Sequence, residues 1–186
     1  MIEVFYQRKK AVLSKLDKSS AGEWDEKIKS LCERINSSEN FYTTSSCSGR
    51  IVLMIDQETK ETGLFIKIWH DLVFFHELKE ELSKIHKKNL IKFKLEPPIL
   101  HVACKNLESA SEMLEKAKHV GFKRSGINAL GKNIILELNS TEKIEFPIIS
   151  EGKILVDGEF LKILVKQANG KLKKGWKKIK ELKKLV

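Results

Sequence analysis

Residues 43–50 form a polar run that leads without a break into an apolar segment at residues 51–55. The run holds five hydroxyl side chains, one thiol, one glycine and one arginine. Ordinary turns are short and favour Gly, Asn, Asp or Pro. This composition instead predicts a functional loop, which the following strand anchors at the edge of a core. A Ser/Thr-rich hairpin whose hydroxyls bond their own backbone has the same composition, and the residues alone leave both interpretations open.

The length and charge of the chain limit the kinds of protein it can be. The 186 residues, 41% of them hydrophobic and 32% charged, are typical of one globular domain. We therefore expect a single domain over residues 1–186, with a basic C-terminal helix at about 157–186. Lys and Arg number 35 against 25 Asp and Glu, which gives a net charge of +10. That surplus favours a polyanionic partner, although many soluble proteins are basic without one.

Cysteine usage and hydropathy exclude several classes of protein. The three cysteines, Cys32, Cys47 and Cys104, form neither a disulfide framework nor a zinc pair, and we predict no metal site. Residues 1–8 lack the charged start and apolar core of a signal peptide. No apolar run approaches the ~20 residues that a membrane span requires. We predict a cytoplasmic protein without a membrane partner, and the sequence carries no signal for oligomeric state.

Hydrophobic periodicity predicts helices and strands in alternation. The fold class expected from this order is α/β, or alternatively α+β, with a mixed sheet flanked by helices and a long basic C-terminal helix. The last two strands are expected to pair around the turn at residues 139–142. The predicted helices cover residues 2–16, 23–35, 74–86, 107–120 and 157–186, and the predicted strands cover residues 41–44, 51–55, 64–69, 89–95, 99–104, 133–138 and 143–148.

The C-terminal helix begins at Asp157, a residue type that favours the N-cap position. Beyond Gly170 it is rich in lysine and keeps a narrow apolar stripe. Such a basic amphipathic helix is typical of a solvated outer helix packed on the body of a domain. It is equally typical of a helix that contacts a phosphate backbone.

Two common phosphate-binding loops are missing from the sequence. No G-x-G-x-x-G follows a predicted strand, and no G-x-x-x-x-G-K-[ST] occurs. A nucleotide-like cofactor is therefore not held by either loop, and we do not expect a standard Rossmann-type methyltransferase fold.

Four segments resemble one known family in the correct order. The run T-T-S-S-C-S-G-R-I at residues 43–51 resembles a signature of the tRNA wybutosine-synthesizing proteins, the third member of that pathway. K-L-E-P-P-I-L-H-V-A-C at residues 94–104 is similar to a second motif, and G-F-K-R-S-G-I at residues 121–127 to a third. The C-terminal helical segment, with Asn169, resembles the end of the family's domain.

The resemblance implies an S-adenosylmethionine-dependent tRNA methyltransferase. Its substrate would be tRNA(Phe), methylated on the N(4) ring nitrogen of a tricyclic wyosine intermediate, 7-aminocarboxypropyl-demethylwyosine, at position 37. The implied site residues are, for catalysis, Ser45, Cys47, His70 and His101; for cofactor binding, Thr43, Ser46, Gly49, Arg50 and Glu96; and for substrate binding, Lys94, Cys104, Lys123, Arg124, Ser125 and Asn169.

The chemistry of methyl transfer gives some of these residues a role. S-adenosylmethionine carries a carboxylate, ribose hydroxyls and an adenine ring, so it needs a cation or amide donors, a hydrogen-bonding group and an apolar slot. Arg50 suits the carboxylate and Glu96 suits the ribose. His70 or His101 can remove the ring N–H proton near neutral pH.

Two other classes of function remain open at this stage. The basic helix and the net charge would suffice for a non-catalytic RNA-binding module. Cys47 is a candidate nucleophile for a hydrolase or transferase, although no base lies beside it in the sequence. His101 and Cys104 are three positions apart, so on a regular strand they point to opposite faces and do not share one metal.

Overall fold

The structure is a computed structural model and describes residues 2–14, 25–57, 63–131 and 133–186. The chain forms two compact units. Unit 1 comprises Met1–Ser48, Pro98–Thr141 and Gly175–Val186, and unit 2 comprises Gly49–Pro97 and Glu142–Lys174. The expectation of one domain over residues 1–186 stays a prediction.

Five helices and nine strands lie in the described ranges. The helices are α1 (Ile2–Leu13), α2 (Glu26–Ser37), α3 (Phe75–Ser83), α4 (Leu107–His119) and α5 (Gly158–Leu185). The strands are β1 (Phe41–Cys47), β2 (Arg50–Ile55), β3 (Phe65–Trp69), β4 (Ile91–Glu96), β5 (Ile99–Cys104), β6 (Gly126–Leu130), β7 (Ile134–Asn139), β8 (Ile144–Ser150) and β9 (Lys153–Ile154). This is an α+β fold and not a Rossmann arrangement, so the α+β form of the fold prediction is confirmed.

Unit 1 is built on a four-stranded antiparallel sheet with the order β1-β5-β7-β6. Helices α2 and α4 and the last turns of α5 share one apolar core with this sheet, in which Leu31, Met113 and Leu182 are fully buried. A second, smaller cluster joins Phe5 of α1 to Tyr42 and Ala103. Both clusters include sheet residues, so helices cover apolar positions on both faces of the sheet.

Unit 2 contains a five-stranded antiparallel sheet with the order β3-β2-β4-β8-β9. The central strand β4 alternates buried and half-buried residues, as its sequence I-K-F-K-L-E predicts. Leu78 and Leu82 of α3, together with Leu161 and Leu164 of α5, are also buried. Where the sequence led us to expect one mixed sheet, the strands form two sheets with antiparallel pairing.

The hydroxyl-rich run is a strand, not the loop that we predicted. Strand β1 continues to Cys47 and pairs with β5 as far as Cys47↔Ile99, with a bulge between Thr43 and Ser45. Threonine favours strands, and pairing with β5 satisfies backbone groups that a loop would have had to satisfy through its own hydroxyls. The turn is thereby reduced to Ser48–Gly49, where Gly49 has a φ of 98° that favours glycine.

The predicted pairing of the last two long strands is wrong. Strand β7 pairs with β5 and β6 in unit 1, whereas β8 pairs with β4 and β9 in unit 2. At the start of the segment between them, the backbone N–H of Ser140 donates to the carbonyl of Pro98. Two strands were missed: β6, an edge strand that contains glycine and asparagine, and the two-residue β9.

Several boundaries are confirmed. Strand β5 has the predicted limits, and the side chain of Asp157 accepts a hydrogen bond from the Phe160 N–H at 2.8 Å, as an N-cap does. The predicted end of the first helix and the start of the second, at residues 15–24, lie outside the described residues. No helix in the described parts of the chain is both long and apolar enough to cross a membrane.

Candidate active site

Three polar side chains form a row across the middle of the unit 1 sheet. Ser45 on β1 is paired in register with His101 on β5, and His101 is paired with Glu137 on β7. Residues directly opposite each other on antiparallel strands point to the same face of the sheet. The strand pairing therefore places these three side chains in contact. We call Ser45, His101 and Glu137 the polar row.

The row is a continuous hydrogen-bonded chain. The Oγ atom of Ser45 lies 2.6 Å from Nδ1 of His101, and Nε2 of His101 lies 3.0 Å from Oε2 of Glu137. An ionised carboxylate only accepts hydrogen bonds, so Nε2 of the neutral imidazole carries the proton. Nδ1 is then the lone-pair nitrogen and accepts the Ser45 hydroxyl proton. With this arrangement, His101 can take up a proton through Ser45.

Solvent reaches the row from the face that α1 covers only in part. Ser45 is exposed, and His101 and Glu137 are partly exposed. On the same face Tyr42 and Ala103 pack against Phe5 of α1, so the neighbouring part of this face is apolar. The row therefore forms the polar, accessible part of this face.

A glycine and an amide flank Glu137. Gly126 of β6 stands opposite Glu137 in register, and a Cβ at Gly126 would meet no atom within 4 Å. The side-chain N–H of Asn139 donates to Oε1 of Glu137 at 3.4 Å. The carboxylate is therefore oriented from one side, and space is left open beside it.

Arg50 and Glu96 form a second polar pair, in unit 2. They stand opposite each other on β2 and β4, and Nε of Arg50 lies 2.6 Å from Oε2 of Glu96. The Arg50 guanidinium also lies 4.9 Å from the centre of the Phe65 ring. Among the residues that the structure describes, no other hydrogen bond or ion pair engages the terminal guanidinium N–H groups of Arg50 or Oε1 of Glu96. These groups are therefore available to a ligand. A cation donor and a carboxylate acceptor match the two needs of a methyl donor, its carboxylate and its ribose.

The other predicted cofactor residues differ in accessibility. Thr43 is buried, and its hydroxyl bonds the side chain of Asn36. Gly49 is also buried, in the turn after β1. Ser46 is half-buried on β1. Of these three residues, Ser46 is the one with access to solvent. The buried Thr43 instead fixes β1 against α2.

The two cysteines of the motifs lie in different surroundings. Cys104 is 3% exposed within the apolar core, and burial raises the pKa of its thiol to about 12. It is therefore a neutral thiol near pH 7, and its position favours packing over contact with a substrate. Cys47 is partly exposed at the end of β1. The next residue, Ser48, donates its backbone N–H to Oδ2 of Asp25 at 3.0 Å, which holds this end of the strand.

Asn169 makes two hydrogen bonds to one backbone residue of unit 2. Its Oδ1 accepts the Val73 N–H at 3.1 Å, and its Nδ2 donates to the Val73 carbonyl at 2.8 Å. The side chain thus ties α5 to the segment between β3 and α3, which also carries the exposed His70. Both kinds of amide atom are engaged by Val73, so this geometry favours a positioning role for Asn169.

The remaining substrate-binding candidates are spread over both units. Lys94 of unit 2 lies 3.4 Å from Glu145. Lys123 and Arg124 of unit 1 are exposed in the turn after α4. The hydroxyl of Ser125 closes that turn, because it donates to the Phe122 carbonyl at 2.6 Å and accepts the Asn139 N–H at 3.1 Å. Lys123 and Arg124 are therefore the accessible cations of this group.

Glu137 is the member of the polar row that the sequence motifs did not indicate. It is the one charged residue in the predicted strand at residues 133–138, between the buried Leu136 and Leu138. A single carboxylate in an apolar strand is a usable signal. Its partner could not be identified, because the pairing of β5 with β7 spans 36 residues of sequence.

Comparisons with known proteins show the family to which the chain is similar. A family described as Methyltransferase TYW3 matches residues 7–186. A Methanocaldococcus jannaschii protein is 39% identical over 91% of this chain and 90% of its own length, and is named tRNA(Phe) 7-((3-amino-3-carboxypropyl)-4-demethylwyosine(37)-N(4))-methyltransferase. A Bos taurus protein, named tRNA wybutosine-synthesizing protein 3 homolog, is 33% identical over 94% of this chain and 69% of its own.

A solved structure shows the same fold. The PH1069 protein from Pyrococcus horikoshii superposes with a TM-score of 0.90 at 36% identity, covering 98% of this chain and 94% of that protein. A hypothetical protein from Aeropyrum pernix gives a TM-score of 0.73 at 27% identity, over 86% and 97% of the two chains. Family match, relatives and fold agree: the chain belongs to the Methyltransferase TYW3 family.

Proposed function

We propose that this methyltransferase acts on tRNA(Phe). It transfers a methyl group from S-adenosylmethionine to the N(4) ring nitrogen of the tricyclic base 7-(3-amino-3-carboxypropyl)-4-demethylwyosine at position 37. The names of relatives that match 83–97% of this chain support the substrate. The single observation that carries the mechanism is the hydrogen-bonded chain Ser45–His101–Glu137.

The polar row supplies the base of the reaction. The ring nitrogen loses its proton when it gains the methyl group, so a proton acceptor within hydrogen-bond reach lowers the barrier. In the proposal, the Ser45 hydroxyl accepts this proton and passes its own to Nδ1 of His101. The imidazolium that forms is stabilised by the Glu137 carboxylate. The proton ends on His101 and leaves to solvent after the methyl group has been transferred.

Arg50 and Glu96 hold the methyl donor in this proposal. S-adenosylmethionine, when bound, supplies an electrophilic methyl group on a sulfonium that is already a good leaving group. The guanidinium of Arg50 would hold its carboxylate, and the Glu96 carboxylate would hold its ribose hydroxyls. Arg50→Ala should therefore weaken donor binding in calorimetry. The matched control is Lys92→Ala, which removes a cation of the same sheet that pairs with Asp56 at 2.7 Å. Equal donor affinity in the two variants would remove Arg50 from the site.

The proposed reaction is tested with tRNA isolated from cells that lack this enzyme. The purified protein is incubated with this tRNA and methyl-labelled S-adenosylmethionine, and the nucleosides are separated by mass. We expect the label in one tricyclic nucleoside of tRNA(Phe), with the methyl group on the ring nitrogen. Label in an ordinary nucleoside, or no label with correctly folded protein, would contradict the proposal.

A further inference from the structure

Six lysines form a continuous ridge along the outer side of α5. A residue advances 100° around a helix, so these six positions fall within an arc of about 60° and extend over roughly 33 Å. All six are exposed. The arc lies opposite the buried side of the helix, to which Leu161, Ala168 and Ile179 belong. We call this set the lysine ridge: Lys162, Lys166, Lys173, Lys177, Lys180 and Lys184.

Acidic partners are scarce along the middle of the ridge. Glu181 is the acidic residue of α5 that the charge of a middle lysine reaches: its pKa is lowered first by its hydrogen bond to Lys184 and also by the charge of Lys177. An ordinary solvated helix intersperses acids and bases that pair at i,i+3 or i,i+4. Helix α5 has acidic residues only near its two ends, where Glu159 pairs with Lys162 at 2.6 Å and Glu181 with Lys184 at 2.8 Å. The four lysines between them make no ion pair with any residue that the structure describes: Lys166, Lys173, Lys177 and Lys180.

The helix dipole does not explain these four lysines. Cations are favoured near a helix C-terminus, but this effect falls off within the last turn, which here contains Lys183 and Lys184. Lys166 is nineteen residues from Leu185, where the helix ends. The accumulated positive charge of the ridge therefore lacks an intramolecular reason in the described part of the chain.

A glycine interrupts the ridge where no packing requires one. Gly170 lies on the side of the ridge, between Lys166 and Lys173, and a Cβ there would meet no atom within 4 Å. Glycine inside a helix costs about 1 kcal/mol relative to alanine. Gly175 in the same helix differs, because a Cβ there would lie 2.7 Å from the ring of Pro98. Bare backbone at Gly170 instead allows close approach from outside.

We propose that the lysine ridge, with the bare backbone at Gly170, binds the phosphate backbone of the tRNA. This rests on the proposed function only in taking RNA as the partner. An extended row of cations at intervals of one turn matches an extended polyanion, and contacts of this kind position an RNA without reading its sequence. An anionic membrane fits less well. Amphipathic helices enter membranes by their apolar face, whereas most apolar residues of α5, among them Leu161, Leu164 and Ile179, are buried in the protein.

The test compares two variants of equal net charge. The ridge variant carries Lys166→Gln, Lys173→Gln, Lys177→Gln and Lys180→Gln. The control carries the same change at four exposed lysines elsewhere: Lys79, Lys87, Lys88 and Lys118. Affinity for bulk tRNA is measured by fluorescence anisotropy over a salt series, without a methyl donor. We expect the slope of log affinity against log salt to fall by about 3 in the ridge variant and by less than 1 in the control.

Three outcomes would overturn the assignment. One is an equal loss of slope in the two variants, and another is an unchanged slope in the ridge variant. The third is loss of binding to phosphatidylserine vesicles in the ridge variant while tRNA binding persists. Because binding to bulk tRNA needs no methyl transfer, failure of the proposed reaction would leave this test intact.

The Gly170→Ala variant distinguishes a helix that binds RNA at Gly170 from a helix with a structural role alone. Alanine should raise the stability of the helix, and thus the melting temperature, since space is available for its methyl group. If RNA approaches the backbone at this point, the same change weakens tRNA binding several-fold. A more stable protein with unchanged or tighter tRNA binding would contradict close approach at Gly170.

Discussion

The imidazole of His101 is held by the carboxylate of Glu137, with Nε2 and Oε2 3.0 Å apart across neighbouring strands. This contact decides which ring nitrogen carries the proton. With Nε2 protonated, Nδ1 is free to accept from Ser45, 2.6 Å away. The imidazole of His101 is therefore oriented by a residue outside the segments that resemble the family.

Replacing Glu137 by Gln should change the tautomer and slow the reaction. The amide is uncharged, so it no longer stabilises the imidazolium, and it can donate as well as accept. We expect kcat to fall by about tenfold to a hundredfold with little change in KM for tRNA. Nitrogen NMR of the His101 ring reports the tautomer directly. If the ring keeps its tautomer and kcat is normal in Glu137→Gln, Glu137 has no positioning role.

Cys104 should make unfolding sensitive to alkaline pH. Burial raises the pKa of its thiol from 9.0 to about 12. Below pH 9 the thiol is protonated in both the folded and the unfolded chain, so its contribution to stability is constant. Between pH 9 and about 12 it ionises only in the unfolded chain, so the free energy of unfolding falls by about 1.4 kcal/mol per pH unit.

Urea unfolding of the wild type and of Cys104→Ala over this pH range isolates that contribution. Other alkaline titrations occur in both proteins and cancel in the difference. The alanine variant should be less stable at pH 8 because of the cavity, and its stability should fall less steeply above pH 9. Parallel curves would show that the buried thiol is not the cause.

Asn169 should stabilise the protein through Val73. Asn169→Ala leaves a backbone N–H and a carbonyl without their partners, which costs about 1–3 kcal/mol. Asn169→Asp should cost at least as much, because it sets a carboxylate oxygen against the Val73 carbonyl, 2.8 Å from the present Nδ2. The exposed Asn128→Ala is the control. Normal stability together with a raised KM for tRNA would instead favour the direct substrate contact predicted from the sequence.

Gly175→Ala should destabilise the protein although alanine favours helices. The gain in helix propensity is about 1 kcal/mol. The added methyl group would lie 2.7 and 2.8 Å from Cγ and Cδ of Pro98, a rigid ring that cannot rotate away. Overpacking of this kind costs about 1–3 kcal/mol, so the net effect is unfavourable. Thermal unfolding of Gly175→Ala should show a lower melting temperature, and a rise would mean that Pro98 yields.

The sequence predicted the local structure of the helices and strands better than it predicted which strands pair. Strand β4 and the N-cap at Asp157 follow from nearby residues, through alternation and side-chain geometry. The division of β7 and β8 between two sheets does not, because partners such as His101 and Glu137 are distant in sequence. The same limit applies to the site. The motifs supplied Ser45 and His101, whereas Glu137 emerged only from the strand register.

The predicted site residues of the hydroxyl-rich run lie in a different local structure from the one that we expected. Its composition favoured a loop, but pairing with β5 makes it a strand as far as Cys47. Alternation along a strand then separates its side chains. Thr43 is buried against Asn36, whereas Ser45 reaches His101. A loop lacks this regular alternation, so it would not have predicted that one hydroxyl is buried and the other lies beside His101.

The most direct test of the account is the single-turnover rate of methyl transfer to bound tRNA. The comparison uses wild type, Ser45→Ala, His101→Gln and a control, Thr44→Ala, which removes an exposed hydroxyl that donates to the His101 carbonyl at 3.4 Å. We predict a slower rate in the first two variants, by tenfold to about 1,000-fold, and a normal rate in the control, with tRNA affinity unchanged throughout. Unchanged rates in Ser45→Ala and His101→Gln would contradict the account.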